Sequence, residues 1–335
     1  MSNGVRIASR ATLAHNTSMS VTQQAMRAVL TSGEADAPVV IARRPIPAPQ
    51  AGEARVRVHA VSLNAGELRR ARKSAANQPI GWDFAGIVET PAADGSGPTP
   101  GTRVVGFVAA GAWADYVVAP PAQLGTLPDA VSFAAASTLP IAGLTALRTL
   151  RHGGDLRGKS VLVVPGTGGV GLFALQLGKR AGAGVTTVIR SEDHAALVRG
   201  HGAQTVVAGP TAAASGNGPY DLILDSLGGD SLGASLGMVA ADGSVVSFGQ
   251  TAGGTTTFAA DAFYAVGGAT LYGFIIFHEA RKEPVAQDLE QLAALVAAGE
   301  LATEIGATLP FDEFTAACSA RTDRKLAGKV VVTLA

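Results

Sequence analysis

Pro165-Gly166-Thr167-Gly168-Gly169-Val170-Gly171 is the stretch on which the fold turns. It carries the spacing G-x-G-x-x-G at Gly166, Gly168 and Gly171, between an apolar run, Ser160–Pro165, and a segment of helical periodicity, Val170–Ala181. A glycine turn between strand and helix suits a dinucleotide diphosphate for three reasons. The first glycine turns the chain tightly, the second admits backbone N–H groups to the phosphates, and the third lets helix and strand approach. The helix N-terminus adds unpaired N–H donors and a partial positive charge. The Lys-Ser/Thr pair of a nucleoside triphosphatase loop is missing. In a chain of 42 glycines such a turn can also be merely a turn; its strand-turn-helix frame favours a binding loop.

Outward from this loop, strand-like and helical runs alternate: Val185–Ile189, His194–His201, Thr205–Val207, Tyr220–Asp225, Ser231–Val239, Ser244–Phe248 and Ala269–Tyr272. Alternation of this kind predicts a parallel, doubly wound sheet covered on both faces. Upstream, from Met26 to about Ser137, β runs such as Ala54–Val61, Gly86–Glu89 and Arg103–Val108 are separated by prolines and glycines, which predicts a compact, partly open β-barrel. After residue 273 the pattern predicts a helix over Val285–Ala298, another over Phe311–Ser319 and a last strand over Lys329–Leu334. This tail is expected to return to the barrel, making the doubly wound segment an insertion.

Composition narrows the classes. Of 335 residues, 47% are hydrophobic and 16% charged, which suits a buried core. Lys+Arg and Asp+Glu balance at 26 each, so no basic surplus points to nucleic acid or an anionic membrane. A single cysteine, Cys318, excludes an intrachain disulfide and a multi-cysteine metal site. It is compatible with the reducing cytoplasm, the expected location. No apolar run is long enough to span a bilayer. Residues 1–25 lack a continuous apolar region of the secretory kind and are expected to be a disordered extension.

The end of the second strand of the doubly wound segment bears on the type of dinucleotide. An NAD site places an acid there; here Ile189 is followed by Arg190-Ser191. A cation and a hydroxyl suit a 2′-phosphate, and His194 lies within reach of the same group. Glu192 and Asp193 blur the signal, Ser191 can instead cap the next helix, and Arg190 can be a solvated cation. The reading favours NADPH over NADH.

Further motifs stand in a telling order: Asn64; Gly81-Trp82-Asp83-Phe84-Ala85-Gly86; Pro100-Gly101-Thr102-Arg103-Val104; Gly111–Tyr116; Gly143–Leu147; then, after the glycine loop, Asp225–Gly229, Leu271–Phe274 and Gly328-Lys329-Val330. From Met26 to Ala335 the chain resembles the medium-chain dehydrogenase/reductase superfamily, and within it the zinc-independent quinone oxidoreductase-like branch. The resemblance implies an α/β fold: a Rossmann doubly wound parallel sheet over 139–273 that binds NADPH, inserted in a GroES-like, partly open β-barrel catalytic domain over 26–138 and 274–335. Zinc-dependent alcohol dehydrogenases place a Cys near Asn64 and a His-Glu pair at Trp82-Asp83, and here neither thiolate nor imidazole stands at those places. About three protein ligands are needed for catalytic zinc, so no metal is expected.

The resemblance also implies cofactor contacts. Asn64 is placed near the nicotinamide and Thr145 near its carboxamide. Gly166, Thr167, Gly168, Gly169 and Val170 are placed on the diphosphate, with Arg190, Ser191, His194 and Arg324 around the 2′-phosphate. Ser226, Leu227, Phe248, Gly249, Gly273 and Phe274 are placed along the cofactor groove. For catalysis, Asn64 is a candidate amide donor to an enolate or phenolate, Trp82 an apolar wall, and Tyr272 a candidate for protonation, with core packing as its plainer role. The implied activity is NADPH-dependent hydride transfer to quinones or α,β-unsaturated carbonyl compounds without zinc. Alternatives are a trans-acting enoyl reductase of acyl or polyketide intermediates and a non-catalytic NADPH-binding redox sensor. Homodimerisation is expected, with Leu271–Phe277 as a continuing sheet edge or, equally, a buried strand.

Overall fold

The computed structural model describes Met1, residues 24–322 and residues 326–334. Almost all of the expected extension over 1–25, and Arg324, lie outside the described residues. The first hairpin pairs β1 (Ala25–Thr31) with β2 (Val39–Pro45). The barrel strands are β3 (Ala54–Leu63), β4 (Asp83–Thr90), β5 (Arg103–Phe107), β6 (Tyr116–Ala119) and β7 (Leu124–Thr126). The second sheet is built from β8 (Ser160–Val164), β9 (Gly184–Ile189), β10 (Thr205–Ala208), β11 (Tyr220–Asp225), β12 (Val239–Ser247) and β13 (Thr270–Gly273). The tail supplies β14 (Ile305–Pro310) and β15 (Lys329–Thr333).

The six strands β8–β13 are all parallel, in the order β10-β9-β8-β11-β12-β13. This is the Rossmann order, in which the winding reverses between the first strand and the fourth. Side chains on β8 alternate between two cores. Val161 and Val163 join one cluster with Leu222 and Leu224, while Leu162 and Val164 join another with Ile223 and Val245. A sheet buried on both faces needs apolar residues at every position, hence the continuous run. The barrel sheet runs β14-β15-β3-β4-β5-β7, with β6 on β3. The tail thus rejoins the barrel sheet through the antiparallel pair β15–β3, with Val331 opposite Ser62. The two bodies share one core: Ala85, Val105 and Phe107 of the barrel join Leu139, Leu172 and Leu289.

Several boundaries differ from the sequence expectation, three of them informatively. The helix expected over Ser231–Val239 is Gly229–Leu236, because Gly237 ends it and Val239 already pairs with Tyr220 in β12. The apolar stretch Leu271–Phe277 is no single strand: β13 stops at Gly273, Phe274 is buried in the core, and a helix runs over Ile276–Lys282. The last expected helix opens as a tight turn over Phe311–Glu313 and continues over Phe314–Thr322.

A buried ion pair ties the tail to the centre of the chain. Arg148, 5% exposed in the helix Leu144–Arg151, donates through Nε to Asp288 at 2.8 Å and through its other nitrogens to the carbonyls of Glu283 and Pro284. Removing one partner leaves the other charge buried. Asp288→Ala is expected to destabilise by about 3 kcal/mol, read as a lower midpoint in thermal or urea unfolding.

Candidate active site

The glycine loop leaves β8 at the point of reversal, where the C-terminal ends of β8 and β11 diverge. At Gly171 a side chain would collide with the Pro165 carbonyl, so only glycine lets the helix Gly169–Arg180 start this close to the strand. At Gly168, in contrast, the space a side chain would take is open. The loop thus has the close packing and open face that a diphosphate cradle requires. Across the crevice, the loop after β11 is set by the Asp225 carboxylate. It accepts from the N–H groups of Leu227 (3.0 Å) and Gly228 (2.8 Å) and from the Ser231 hydroxyl (2.6 Å). Burial pushes this carboxyl above its ordinary range, against the pull of those donors.

A cavity of about 620 Å³ opens between the loops. Thr167, Gly168, Ser226 and Leu227 line it, and so do Arg190, Ser191 and His194 at the end of β9. These expected cofactor residues are therefore gathered in one place. The Ser191 hydroxyl donates to Asp193 (2.7 Å) and accepts from its N–H, so Ser191 also serves as the cap anticipated for it. The barrel contributes the other wall, including Arg69, Arg72 and Arg321. With Arg190 these make four arginines against one acid, Asp230. Sequence reading missed the barrel arginines; the signal was the basic run Arg69-Arg70-Ala71-Arg72-Lys73 just after Asn64.

Beside the glycine loop lies a buried polar cluster built by three strand ends. Ser62 near the end of β3, Asp83 at the start of β4 and Lys329 at the start of β15 converge there. Asn64 caps the helix Ala65–Ala71, and Glu67, three residues on, accepts the Asn64 N–H at 2.6 Å. Asp83 Oδ2 accepts from the Ser62 hydroxyl (2.6 Å), Asn64 Nδ2 (2.8 Å) and Lys329 Nζ (3.2 Å), while Oδ1 accepts the Ile141 N–H (3.0 Å). Lys329 Nζ also donates to Asn64 Oδ1. Glu67 further accepts from Trp82 N–H (2.6 Å) and Asn64 Nδ2 (3.2 Å).

This network orients the Asn64 amide. Its oxygen faces an ammonium and its nitrogen the carboxyl oxygens of Asp83 and Glu67; the reverse would set like groups against each other. Both amide hydrogens are engaged, so Asn64 has none to donate to a substrate oxygen, as the sequence reading had allowed. Burial and the Asp83 carboxylate push the Glu67 carboxyl up to about 8. Burial likewise lowers Lys329, against the pull of Asp83 and Glu67. The Lys329 stem lies along the glycine loop, 2.8 Å from where a side chain at Gly169 would begin. With a cation already seated on Asn64 and Asp83, this donor set does not fit a divalent metal. Among the described residues, no three His, Cys, Asp or Glu side chains gather as a metal site.

The remaining expected residues divide. Trp82 lies over Gly66 beside Asn64 and meets Phe277 edge-on at 5.1 Å, with Phe107 on Phe277 at 5.5 Å. Gly249 packs on the Ser226 backbone, next to Gln250 and Thr251 on the cavity wall, and Phe248, half-buried, donates its N–H to the Asp225 carbonyl. Thr145 is buried on the helix Leu144–Arg151, and Val170 sits in the first turn of the helix after the glycines. Gly273 faces open space, but Phe274 turns into the core, edge-on to His152. Tyr272 does not join the cluster. Its ring lies tilted against His152 at 4.2 Å, just past the C-terminal end of the helix Leu144–Arg151, and its hydroxyl donates to Glu279 (2.8 Å) and accepts from Lys282 (3.2 Å).

Known proteins resemble this chain in sequence and fold. The profile of the alcohol dehydrogenase GroES-like domain matches residues 50–129, and that of the zinc-binding dehydrogenases residues 194–332. A quinone oxidoreductase from Pseudomonas aeruginosa is 33% identical over 217 residues, 61% of this chain and 67% of that protein. The spectinabilin polyketide synthase protein of Streptomyces orinoci is 34% identical over 207 residues, 60% of this chain. The chain spans only 10% of that synthase's length. A mycobacterial protein solved in complex with NADPH superposes with a TM-score of 0.80 at 25% identity, covering 92% of this chain and 99% of that one.

The buried carboxyl has a measurable signature. Glu67 titrates at 4.5 when unperturbed and at about 8 in the fold, so between these values the folded chain holds more protons than the unfolded one. Its share of stability is therefore full at low pH and is lost as pH rises through about 8. Glu67→Gln is expected to flatten this fall when urea midpoints are compared from mildly acidic to mildly alkaline pH.

Proposed function

Since the chain belongs to the medium-chain dehydrogenase/reductase superfamily, on its quinone oxidoreductase-like branch, we propose that it is an NADPH-dependent reductase of quinones or α,β-unsaturated carbonyl compounds that works without zinc. The observation that carries this reading is the cavity itself. A glycine cradle at the sheet's reversal point opens onto an end lined by arginines, with no acid at the close of β9. When bound, NADPH supplies the hydride. Backbone N–H groups around Gly168, Gly169 and Val170 would hold the diphosphate, and Arg190, Ser191 and His194 the 2′-phosphate. Thr145 remains our assignment for the carboxamide, and Phe248, Gly249 and Gly273 for the groove.

Trp82 and Phe277 form an apolar wall beside Asn64 that excludes water and suits a flat, conjugated acceptor. Asn64 is held rigidly as part of the floor by Lys329, Asp83 and Glu67. Lys329 occupies the place a metal would need, which supports zinc-independence. The likeness to a polyketide synthase favours a second reading, an enoyl reductase acting in trans on acyl intermediates. We also propose a homodimer through the edge strand β13, where Leu271 and the neighbouring Ile275 and Tyr264 are exposed. Size-exclusion with light scattering checks it, and a monomer at working concentration would refute it.

The deciding experiment offers NADPH and NADH to the purified protein with 1,4-benzoquinone, 2-alkenals and enoyl thioesters. Chelator-insensitive oxidation of NADPH in preference to NADH is the expected result. Preference for enoyl thioesters would select the second reading. Tight NADPH binding without turnover on any acceptor would point to a redox sensor, and binding of neither nucleotide would overturn the proposal. Arg190→Ala is expected to weaken NADPH about tenfold and leave NADH unchanged.

A further inference from the structure

The helix Ala65–Ala71 belongs to the barrel, yet Arg69 on it and Arg72 at its C-cap line the same cavity as the glycine loop and the end of β9. The intervening Arg70 turns elsewhere and donates to the Ala109 carbonyl at 3.2 Å. Among the described residues neither Arg69 nor Arg72 pairs with a carboxylate; Arg72 approaches the Thr322 hydroxyl at 3.4 Å. Asp230 is the one acid on the cavity wall among the described residues. Cations gathered in a concave site repel one another and raise the local potential, an arrangement that a multiply charged anion relieves.

The dinucleotide's two phosphate groups are unequally provided for. The diphosphate meets the helix N-terminus and the backbone N–H groups behind Gly168. The 2′-phosphate, close to a dianion, would meet at the end of β9 only exposed Arg190, His194 and a Ser191 hydroxyl already turned toward Asp193. That end of the site is short of positive charge, and the barrel arginines supply it. On the NADPH reading above, we propose that Arg69 and Arg72 reach across the cleft to the 2′-phosphate. Nucleotide choice is then read from both walls at once. The guanidinium fork suits phosphate oxygens, and closing it on the ligand draws barrel and sheet together.

The test is calorimetry on the full chain with NADPH, NADH, adenosine 2′,5′-bisphosphate and ADP. Arg69→Ala and Arg72→Ala are each expected to raise the Kd of the two 2′-phosphorylated ligands about tenfold, leaving NADH and ADP within about twofold. Arg69→Lys recovers part of the loss, because charge remains while the fork is gone. Arg70→Ala, on the same helix but directed away, leaves all four affinities unchanged, and equal melting temperatures confirm intact folding. Unchanged NADPH affinity in the Arg69 and Arg72 variants, or equal weakening of all four ligands, overturns the inference while leaving the NADPH reading intact. A wild-type chain that binds neither dinucleotide overturns both.

Discussion

The contact on which the molecule depends is the buried meeting of Lys329 with Asn64 and Asp83. It joins the last strand to β3 and β4 across most of the chain's length, and it does so where the glycine loop begins its helix. An ammonium taken out of water is costly unless oxygens surround it. Here the Asp83 carboxylate and the Asn64 amide oxygen accept from it, with the Glu67 carboxyl close by; Asp83 in turn is held by Ser62, Asn64 and Ile141, and Glu67 by Asn64 and Trp82. No member can leave without stranding another. The neighbouring Gly328 N–H and Thr167 carbonyl, 3.4 Å apart, continue the join from barrel to loop.

From that join the cleft takes its shape. The parallel sheet presents its loops at the point of reversal, and the barrel turns one helix, Ala65–Ala71, toward them. That helix has two faces with different tasks. Glu67 and Ala71 are buried, fastening it to the barrel, while Arg69 and Arg72 lie at the cavity. Asp225 does for the far loop what Asp83 does for the polar cluster: one buried carboxyl group gathers N–H groups and hydroxyls and removes their freedom.

Much of this was legible in the residues. Ser160–Val164 and Tyr220–Asp225 read as buried strands because neither face of the sheet meets water, and Gly166–Gly171 read as a cradle because their spacing joins a tight turn, an open face and close packing of helix on strand. The failures have local causes. Apolar content carried the reading of Leu271–Phe277 past Gly273, although Phe274 turns inward and the chain coils again. The helix Ala65–Ala71 was passed over although Asn64 and Glu67 stand at capping-box spacing, a short-range signal that needs no partner to be seen. β14, with glycine and proline among its six residues, exists as a strand because β15 is there to pair with it.

By itself the sequence determined the periodicities, the glycine cradle, the missing acid after Ile189 and the absence of cysteine and histidine at the places of a zinc site. These are properties of neighbours along the chain, set by sterics and local chemistry. Tertiary structure alone decided that Lys329 sits on Asn64 and Asp83, that the Tyr272 hydroxyl faces Glu279, and that arginines near residue 70 share a cavity with Arg190. Each of those joins residues far apart in the chain or turns a side chain toward one of several possible partners. Burial energy over the whole fold makes that choice, and no local pattern encodes it.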